Sequence, residues 1–223
     1  MNYLTLLPLY EKIFSRVLFR VPDFPKAVFL TFDDGPNSTT TPKILRVLAD
    51  FGAHATFFIR GDRVPTAPGI LLQVHRQGHA LGNHGFSHKR LWNKKRREII
   101  WEIEETNRII EKTVGVQPRF FRPPYGKLRP GMAKLSENLG LKLVLWSVDS
   151  RDYTDSSTAQ DVVRHVLNRA TSGSVVLFHD GNRHSAKTLE ALPTILQNLR
   201  TRGFRFLPLS VLTPVPVSGD VLT

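Results

Sequence analysis

Residues 29–36 read FLTFDDGP, an apolar run that ends in two adjacent aspartates followed by Gly-Pro. The β-branched and aromatic residues predict a buried strand, and Asp-Gly-Pro predicts a turn at its end. Adjacent like charges raise each other's pKa and cost stability unless a cation or hydrogen-bond donors lie beside them. The acid pair therefore has two interpretations: a solvated turn, in which Asp-Gly is common, or a functional site at the end of a core strand.

Strand-like and helix-like segments alternate on both sides of this stretch. The apolar runs are residues 28–32, 55–59, 80–83, 120–122, 141–149, 174–178 and 204–209. The segments with helical spacing are residues 42–51, 94–112, 129–139, 158–170 and 186–202. Strands that alternate with helices indicate a parallel sheet. The sequence thus predicts an α/β fold, a distorted and incomplete (β/α) barrel with about seven parallel strands.

The 223-residue chain is predicted to contain one domain, residues 24–212, between an N-terminal segment (1–23) and an extended C-terminal tail (213–223). Residues 7–19 are consistent with a basic amphipathic helix on a membrane surface, or with a helix packed against the domain. The start has no basic n-region or cleavage site typical of a signal peptide, and no segment approaches the ~18 apolar residues of a membrane span. We therefore expect a cytoplasmic monomer, with peripheral association at the inner membrane face as an alternative.

Composition restricts the chemistry. The chain has no cysteine, so disulfides and thiolate ligands are excluded, and any metal site must use His, Asp or Glu. The formal charge of +12 favours polyanionic partners. The basic run at 94–97 has no zinc-finger spacing or interleaved aromatic repeat, which favours a solvated helix face over a specific nucleic-acid site.

Polar clusters follow several of the predicted strands. The sequence HGFSH at 84–88 has the spacing H-x-x-x-H, which can bring two imidazoles to one metal ion, although two unrelated surface histidines give the same pattern. The other clusters are RPPYG at 122–126, DSRDY at 149–153 and HD at 179–180. Functional groups of parallel barrels collect at the carboxyl ends of the strands. The shared position of these clusters favours the functional interpretation of the acid pair.

Together these motifs resemble the polysaccharide deacetylases, the NodB-homology domain of carbohydrate esterase family four. Residues 26–210 contain the five family motifs in order: TFDDGP at 31–36, H-x-x-x-H at 84–88, RPPYG at 122–126, DSRDY at 149–153 and LFH at 177–179. The resemblance implies a metal-dependent hydrolase that removes acetyl groups from N-acetylated sugars by cleaving a carbon–nitrogen bond. The implied partner is an N-acetylated glycan or sugar. We expect no specific nucleic-acid partner.

The resemblance also implies a divalent metal, usually zinc, held by Asp34, His84 and His88. Neutral imidazoles and a carboxylate suit zinc, and a catalytic site keeps a coordination position open for water or substrate. Such an ion would supply the cation that the acid pair needs.

The family pattern further implies Asp33 as general base and His179 as general acid. Arg122 is implied to orient Asp33 and keep it ionised, and Asp152 to hold and charge His179.

The backbone N–H of Tyr125 is implied to face the tetrahedral oxyanion. Trp146 and Leu177 are expected to line, with Tyr125, the pocket for the acetyl methyl group. The chain departs from the family pattern at two positions. Gly85 stands where a Ser or Thr hydroxyl usually braces the metal loop, so looser ligand geometry is expected unless Ser87 partly substitutes for that hydroxyl. Tyr153 stands where Trp is more common.

Three alternatives stay open at this point. The chain could be an inactive NodB-type carbohydrate-binding domain, which predicts damaged motifs, or an O-acetyl esterase on acetylated glycans. It could also be a basic nucleic-acid or membrane-surface protein that reuses the fold, which predicts binding that weakens steeply with salt.

Overall fold

The structure, a computed structural model, describes residues 15–213. In this part of the chain nine strands form one sheet, in which every neighbouring pair is parallel. The strands are β1 Val17–Leu18, β2 Ala27–Asp33, β3 Thr56–Ile59, β4 Ala80–Asn83, β5 Phe120–Phe121, β6 Lys142–Val144, β7 Val148–Asp149, β8 Ser174–His179 and β9 Arg205–Phe206. Their order is β1-β6-β5-β4-β3-β2-β8-β7, and β9 pairs with β2 beside this path. The predicted parallel α/β barrel is confirmed.

Between residues 15 and 213, six α-helices connect the strands. They are α1 Thr41–Asp50, α2 Pro68–Arg76, α3 Arg96–Val114, α4 Met132–Asn138, α5 Ala159–Leu167 and α6 Ser185–Thr201. Five of them match predicted segments. The helix α2 was not predicted, because it has only nine residues and carries Gly69 in its first turn.

The central strand β2 is buried along its whole length, and its side chains alternate between two faces. One face packs beneath α1 and α6 with the side chains of Val28, Leu30 and Phe32. On the other face, Phe29 meets side chains from β3, β5, β6 and β8 inside the curl of the sheet. Asp33 shares that inward face and lies at the carboxyl end of the strand. The alternation therefore places the carboxylate of Asp33 inside the barrel, at the carboxyl ends of the strands.

The predicted strand at 141–149 is divided into β6 and β7. β6 pairs with β5 and β1, whereas β7 pairs with β8 at the other end of the strand order. In between, the N–H of Leu145 donates to Leu18 (2.8 Å) and that of Ser147 to Val175 (3.0 Å). This segment thus bridges the two ends of the curled sheet. The strand count exceeds the expected seven because of this division and because of β1.

The amino-terminal boundary needs a correction. The amphipathic helix expected over 7–19 does not include Val17–Leu18, which pair with Leu143 and Val144 of β6. Val17 and Phe19 are buried, so the domain begins before residue 24. The rest of that predicted helix (7–14), like most of the predicted C-terminal tail (214–223), lies outside the described residues. Within residues 15–213, every helix is too short or too polar to cross a membrane.

Candidate active site

The polar clusters predicted at the strand ends meet around one cavity of about 280 Å³. Its lining comes from the segments that follow β2, β4, β5, β6, β7 and β8, as expected for a parallel barrel. The lining residues are Asp33, Asp34, His84, His88, Tyr125, Gly126, Trp146, Tyr153, Leu177, His179 and Asn182. The structure therefore brings together the predicted metal ligands, base, acid and pocket residues, while Arg122 and Asp152 lie behind them.

Asp34, His84 and His88 each present a ligand atom, and these atoms lie within 4.8 Å of one another. The Nε2 atom of His88 is 3.1 Å from Oδ1 of Asp34, and Nε2 of His84 is 3.9 Å from the same oxygen. That oxygen is buried and has no hydrogen-bond partner. A buried, unpartnered carboxylate oxygen is costly, and a cation would satisfy it.

The protonation states of the two histidines also fit a metal. Burial lowers the pKa of His84 to about 3 and lowers the pKa of His88, so both rings are neutral near pH 7. Nδ1 of His84 lies 2.8 Å from the carbonyl oxygen of Arg122. A carbonyl only accepts, so Nδ1 carries the proton and Nε2 keeps its lone pair for a metal. With one carboxylate, this donor set suits zinc.

Arg122 fills the barrel interior beside the site and is completely buried. Its Nη1 donates to Asp33 Oδ1 (2.7 Å) and to Thr31 Oγ1 (2.8 Å), and its Nη2 donates to the Leu145 carbonyl (2.9 Å). The guanidinium also lies 4.0 Å from the ring centroid of Phe58. These contacts offset the cost of burying the charge and fix Asp33 by one oxygen.

The second oxygen of Asp33 faces the histidine pair: its Oδ2 lies 3.7 Å from Nε2 of His84. Burial raises the pKa of Asp33, and the positive charge of Arg122 opposes that shift. The two aspartates of the opening motif therefore differ in their surroundings. Asp33 is held by a guanidinium, whereas Asp34 points an unpartnered oxygen at the imidazoles.

His179 lies at the end of β8, where Asp152 holds it. The buried carboxylate of Asp152 accepts from Nδ1 of His179 (2.7 Å), from its backbone N–H (2.7 Å) and from Thr188 Oγ1 (2.6 Å). Burial by itself lowers the pKa of His179, but the charge and hydrogen bond of Asp152 outweigh it and raise the pKa to about 9. The ring is therefore an imidazolium at neutral pH, with Nε2–H as its remaining donor.

The pocket wall contains the predicted aromatic residues. Tyr125 has a left-handed backbone (φ 62°), and its ring lies 4.6 Å from that of His88. Gly126 follows with φ 61°, and a Cβ there would lie 2.5 Å from the indole of Trp146, so this position requires glycine. Tyr153, the second departure from the family pattern, lines the cavity and donates its hydroxyl to Asp149 (2.9 Å).

Some residues near the site, Asn182 and Thr188 among them, were not predicted from the sequence, and Asp180, next to His179 in the chain, does not line the cavity. Asn182 lines the cavity, and Thr188 of α6 supports Asp152. Asn182 had a signal, since it follows His179 by three positions. Asp180 is buried and accepts a hydrogen bond from Thr41.

Comparisons with known proteins find relatives that match most of the chain. The sequence profile of the polysaccharide deacetylase family matches residues 20–144. A peptidoglycan-N-acetylglucosamine deacetylase of Bacillus cereus is 37% identical over 198 residues, which cover 88% of this chain and 92% of that protein. A chitooligosaccharide deacetylase of Azorhizobium caulinodans is 33% identical over 202 residues, 85% of this chain and 96% of that one.

A solved structure of a peptidoglycan N-acetylglucosamine deacetylase superposes with a TM-score of 0.86 at 33% identity, covering 91% of this chain and 95% of that chain. Some other curated relatives are longer, and the chain spans 39% and 41% of two of them. The matches extend over the barrel and all the strand-end motifs. The chain belongs to the polysaccharide deacetylase family.

Proposed function

We propose that the protein is a metal-dependent deacetylase that hydrolyses the acetamido group of an N-acetylated glycan. The observation that carries the proposal is the convergence of His84 and His88 on a buried, unpartnered oxygen of Asp34, in a cavity that also holds Asp33 and His179. An inactive carbohydrate-binding domain would not need to retain this set. All five groups are in place.

When bound, zinc supplies a water molecule of lowered pKa and a positive charge for the acetyl carbonyl. Asp33, fixed through Oδ1 by Arg122, takes a proton from the attacking water with its other oxygen. His179 donates its Nε2 proton to the sugar nitrogen as the carbon–nitrogen bond breaks, which releases acetate and a free amine. An amine leaves only after it gains a proton, so an imidazolium held by Asp152 favours amide over ester hydrolysis.

The pocket wall supplies orientation. The backbone N–H of Tyr125 is proposed to donate to the oxygen that becomes negative in the tetrahedral intermediate. Trp146 and Leu177 are proposed to contact the acetyl methyl group, since both line the cavity.

The glycan is proposed to be anionic, as peptidoglycan is, rather than a neutral chitooligosaccharide. Relatives of both kinds are similar to the chain, so the choice rests on charge. The formal charge is +12, and the exposed guanidinium of Arg90 lies 5.3 Å from the ring centroid of Tyr125 at the cavity. A cation at that position attracts a carboxylate next to the reacting sugar.

Removal of the metal tests the proposed activity. Chelator-treated protein is expected to lose acetate release from peptidoglycan fragments and from N-acetylglucosamine oligomers, and added zinc is expected to restore it. His88→Ala is expected to weaken zinc binding at least ~10-fold, because it deletes a ligand. His54→Ala changes an exposed histidine before β3, at the opposite end of the sheet, and serves as the control.

Two negative results have different meanings. A protein that binds zinc but releases no acetate from either glycan would contradict the substrate proposal and direct the search to other acetyl groups. A protein that binds neither zinc nor another divalent ion would contradict the deacetylase and favour the carbohydrate-binding domain.

Salt dependence tests the choice of glycan. Between ~0.05 M and ~0.5 M salt, kcat/KM for peptidoglycan fragments is expected to fall several-fold, and that for neutral oligomers to change little. Arg90→Gln is expected to reproduce the loss at low salt for the anionic substrate alone. Arg76→Gln, at the exposed end of α2, is the matched control. Equal salt dependence for both glycans would contradict an anionic preference.

A further inference from the structure

The loop that carries two of the proposed metal ligands, residues 84–88, is fixed on one side by backbone hydrogen bonds. The carbonyl oxygens of Gly85 and Phe86 accept from the N–H groups of Gly61 and Asp62, both at 3.0 Å. These bonds satisfy two of the backbone acceptors of the loop. Its donors must find partners elsewhere, because buried N–H groups are seldom left unpaired.

Glu102 supplies those partners from α3. Its side chain is 5% exposed, and one oxygen accepts from the N–H groups of Phe86 and Ser87, both at 2.7 Å. The other oxygen accepts from the hydroxyl of Ser87. A buried carboxylate is costly without such donors, and charge-assisted bonds to them are stronger than neutral ones. The carboxylate and the loop therefore stabilise each other.

The two histidines of the loop differ in how they are held. His84 has its own tether, the 2.8 Å contact of Nδ1 with the Arg122 carbonyl. His88 comes directly after Ser87, and its backbone lies in the left-handed region (φ 54°), which is unfavourable for a residue with a Cβ. The anchor at Ser87 thus determines where the strained residue, and with it the imidazole beside Asp34, is placed.

We propose that Glu102 is a positioning residue for the metal site. Its carboxylate fixes the loop at Phe86 and Ser87 and thereby holds His88 toward Asp34. This inference rests on the proposed metal binding. It assigns to Glu102 and Ser87 the bracing function that the family pattern gives to a hydroxyl at position 85, where this chain has Gly85. The looser ligand geometry expected from Gly85 is thereby offset.

The test is the zinc affinity of the metal-free full chain, measured by competition with a chromophoric chelator. Glu102→Ala is expected to bind zinc about tenfold more weakly or worse, the usual effect of losing a group that orients a ligand. Glu102→Gln keeps an oxygen for the two N–H groups and an amide that can donate to Ser87 Oγ, so it is expected to recover several-fold over alanine. Glu105→Gln changes an acid of the same helix that pairs with Arg108 instead, and is the matched control.

Circular dichroism of each variant shows whether it is folded. Folded Glu102→Ala that binds zinc within twofold of the parent overturns the inference, as does an equal loss in Glu105→Gln. If Glu102→Ala does not fold, Ser87→Ala provides the test. Zinc binding that is weaker by threefold or more supports the positioning role of Glu102, and an unchanged zinc affinity overturns it. A parent chain that binds neither zinc nor another divalent ion overturns the proposed metal dependence along with this inference. Zinc-dependent acetate release that is insensitive to Glu102 overturns this inference alone.

Discussion

Asp33→Asn is expected to lower kcat for acetate release by about 10²–10⁴-fold while zinc stays bound, the range by which a general base accelerates a reaction. The amide preserves the shape of the carboxylate, and its oxygen can still accept from Arg122 Nη1, as Oδ1 of Asp33 does at 2.7 Å. What it lacks is a basic oxygen toward His84, where Oδ2 now lies 3.7 Å from Nε2. The variant therefore separates proton transfer from metal binding.

The measurement pairs steady-state kinetics with zinc affinity and thermal unfolding. Stability must be followed because Arg122 is completely buried, and breaking a buried ion pair can cost about 3–5 kcal/mol. Asp62→Asn is the control, since Asp62 follows β3 at the same end of the barrel and pairs with Arg60. If Asp33→Asn keeps a kcat within tenfold of the parent, a residue other than Asp33 is the general base. If Asp33→Asn no longer binds zinc, Asp33 is a ligand of the metal.

Most of the residues that could be predicted from the sequence share one property: they lie in a short motif at the carboxyl end of a strand. Asp33 ends β2, Asp34 follows it, and His84 begins the segment after β4. Parallel strands carry such positions to one edge of the sheet, so neighbours in space can be inferred without knowing the contacts.

Two supporting residues lie on helices, and these were not predicted. Glu102 and Thr188 reach the site from α3 and α6, and neither belongs to a strand-end motif. A signal for Glu102 did exist. It lies three residues after Ile99 and next to Ile103, within the buried stripe of an amphipathic helix. A carboxylate on such a stripe needs donors from a neighbouring segment.

The misjudged strands have a different cause. Pairing of Val17–Leu18 with β6 joins segments more than a hundred residues apart. A strand of two residues is too short to show the alternation of apolar and polar side chains from which strands are predicted. The division of 141–149 arises where the chain changes partners from β5 to β8. Both features depend on the curl of the whole sheet, which local periodicity does not encode.

Asp152→Asn is expected to lower kcat/KM by about 10²-fold near pH 8, with a loss that shrinks toward pH 6. Against the opposing effect of burial, Asp152 makes the largest contribution that raises the pKa of His179 to about 9, so without its charge this pKa is expected to fall. At pH 8 a smaller fraction of His179 would then be imidazolium. A bound dication lowers the pKa of His179 in both proteins and leaves the direction of the difference unchanged.

The pH dependence of that loss separates charge from architecture. A general acid with a lowered pKa moves the alkaline limb of the kcat/KM profile to lower pH, whereas a distorted site reduces activity equally at every pH. Titration of the His179 ring by NMR in the metal-free protein follows the same change directly. Thr188→Val removes one of the three donors to Asp152 but keeps its charge, so a smaller displacement in either direction is expected. An alkaline limb that stays in place in Asp152→Asn would mean that a group other than His179 protonates the leaving amine.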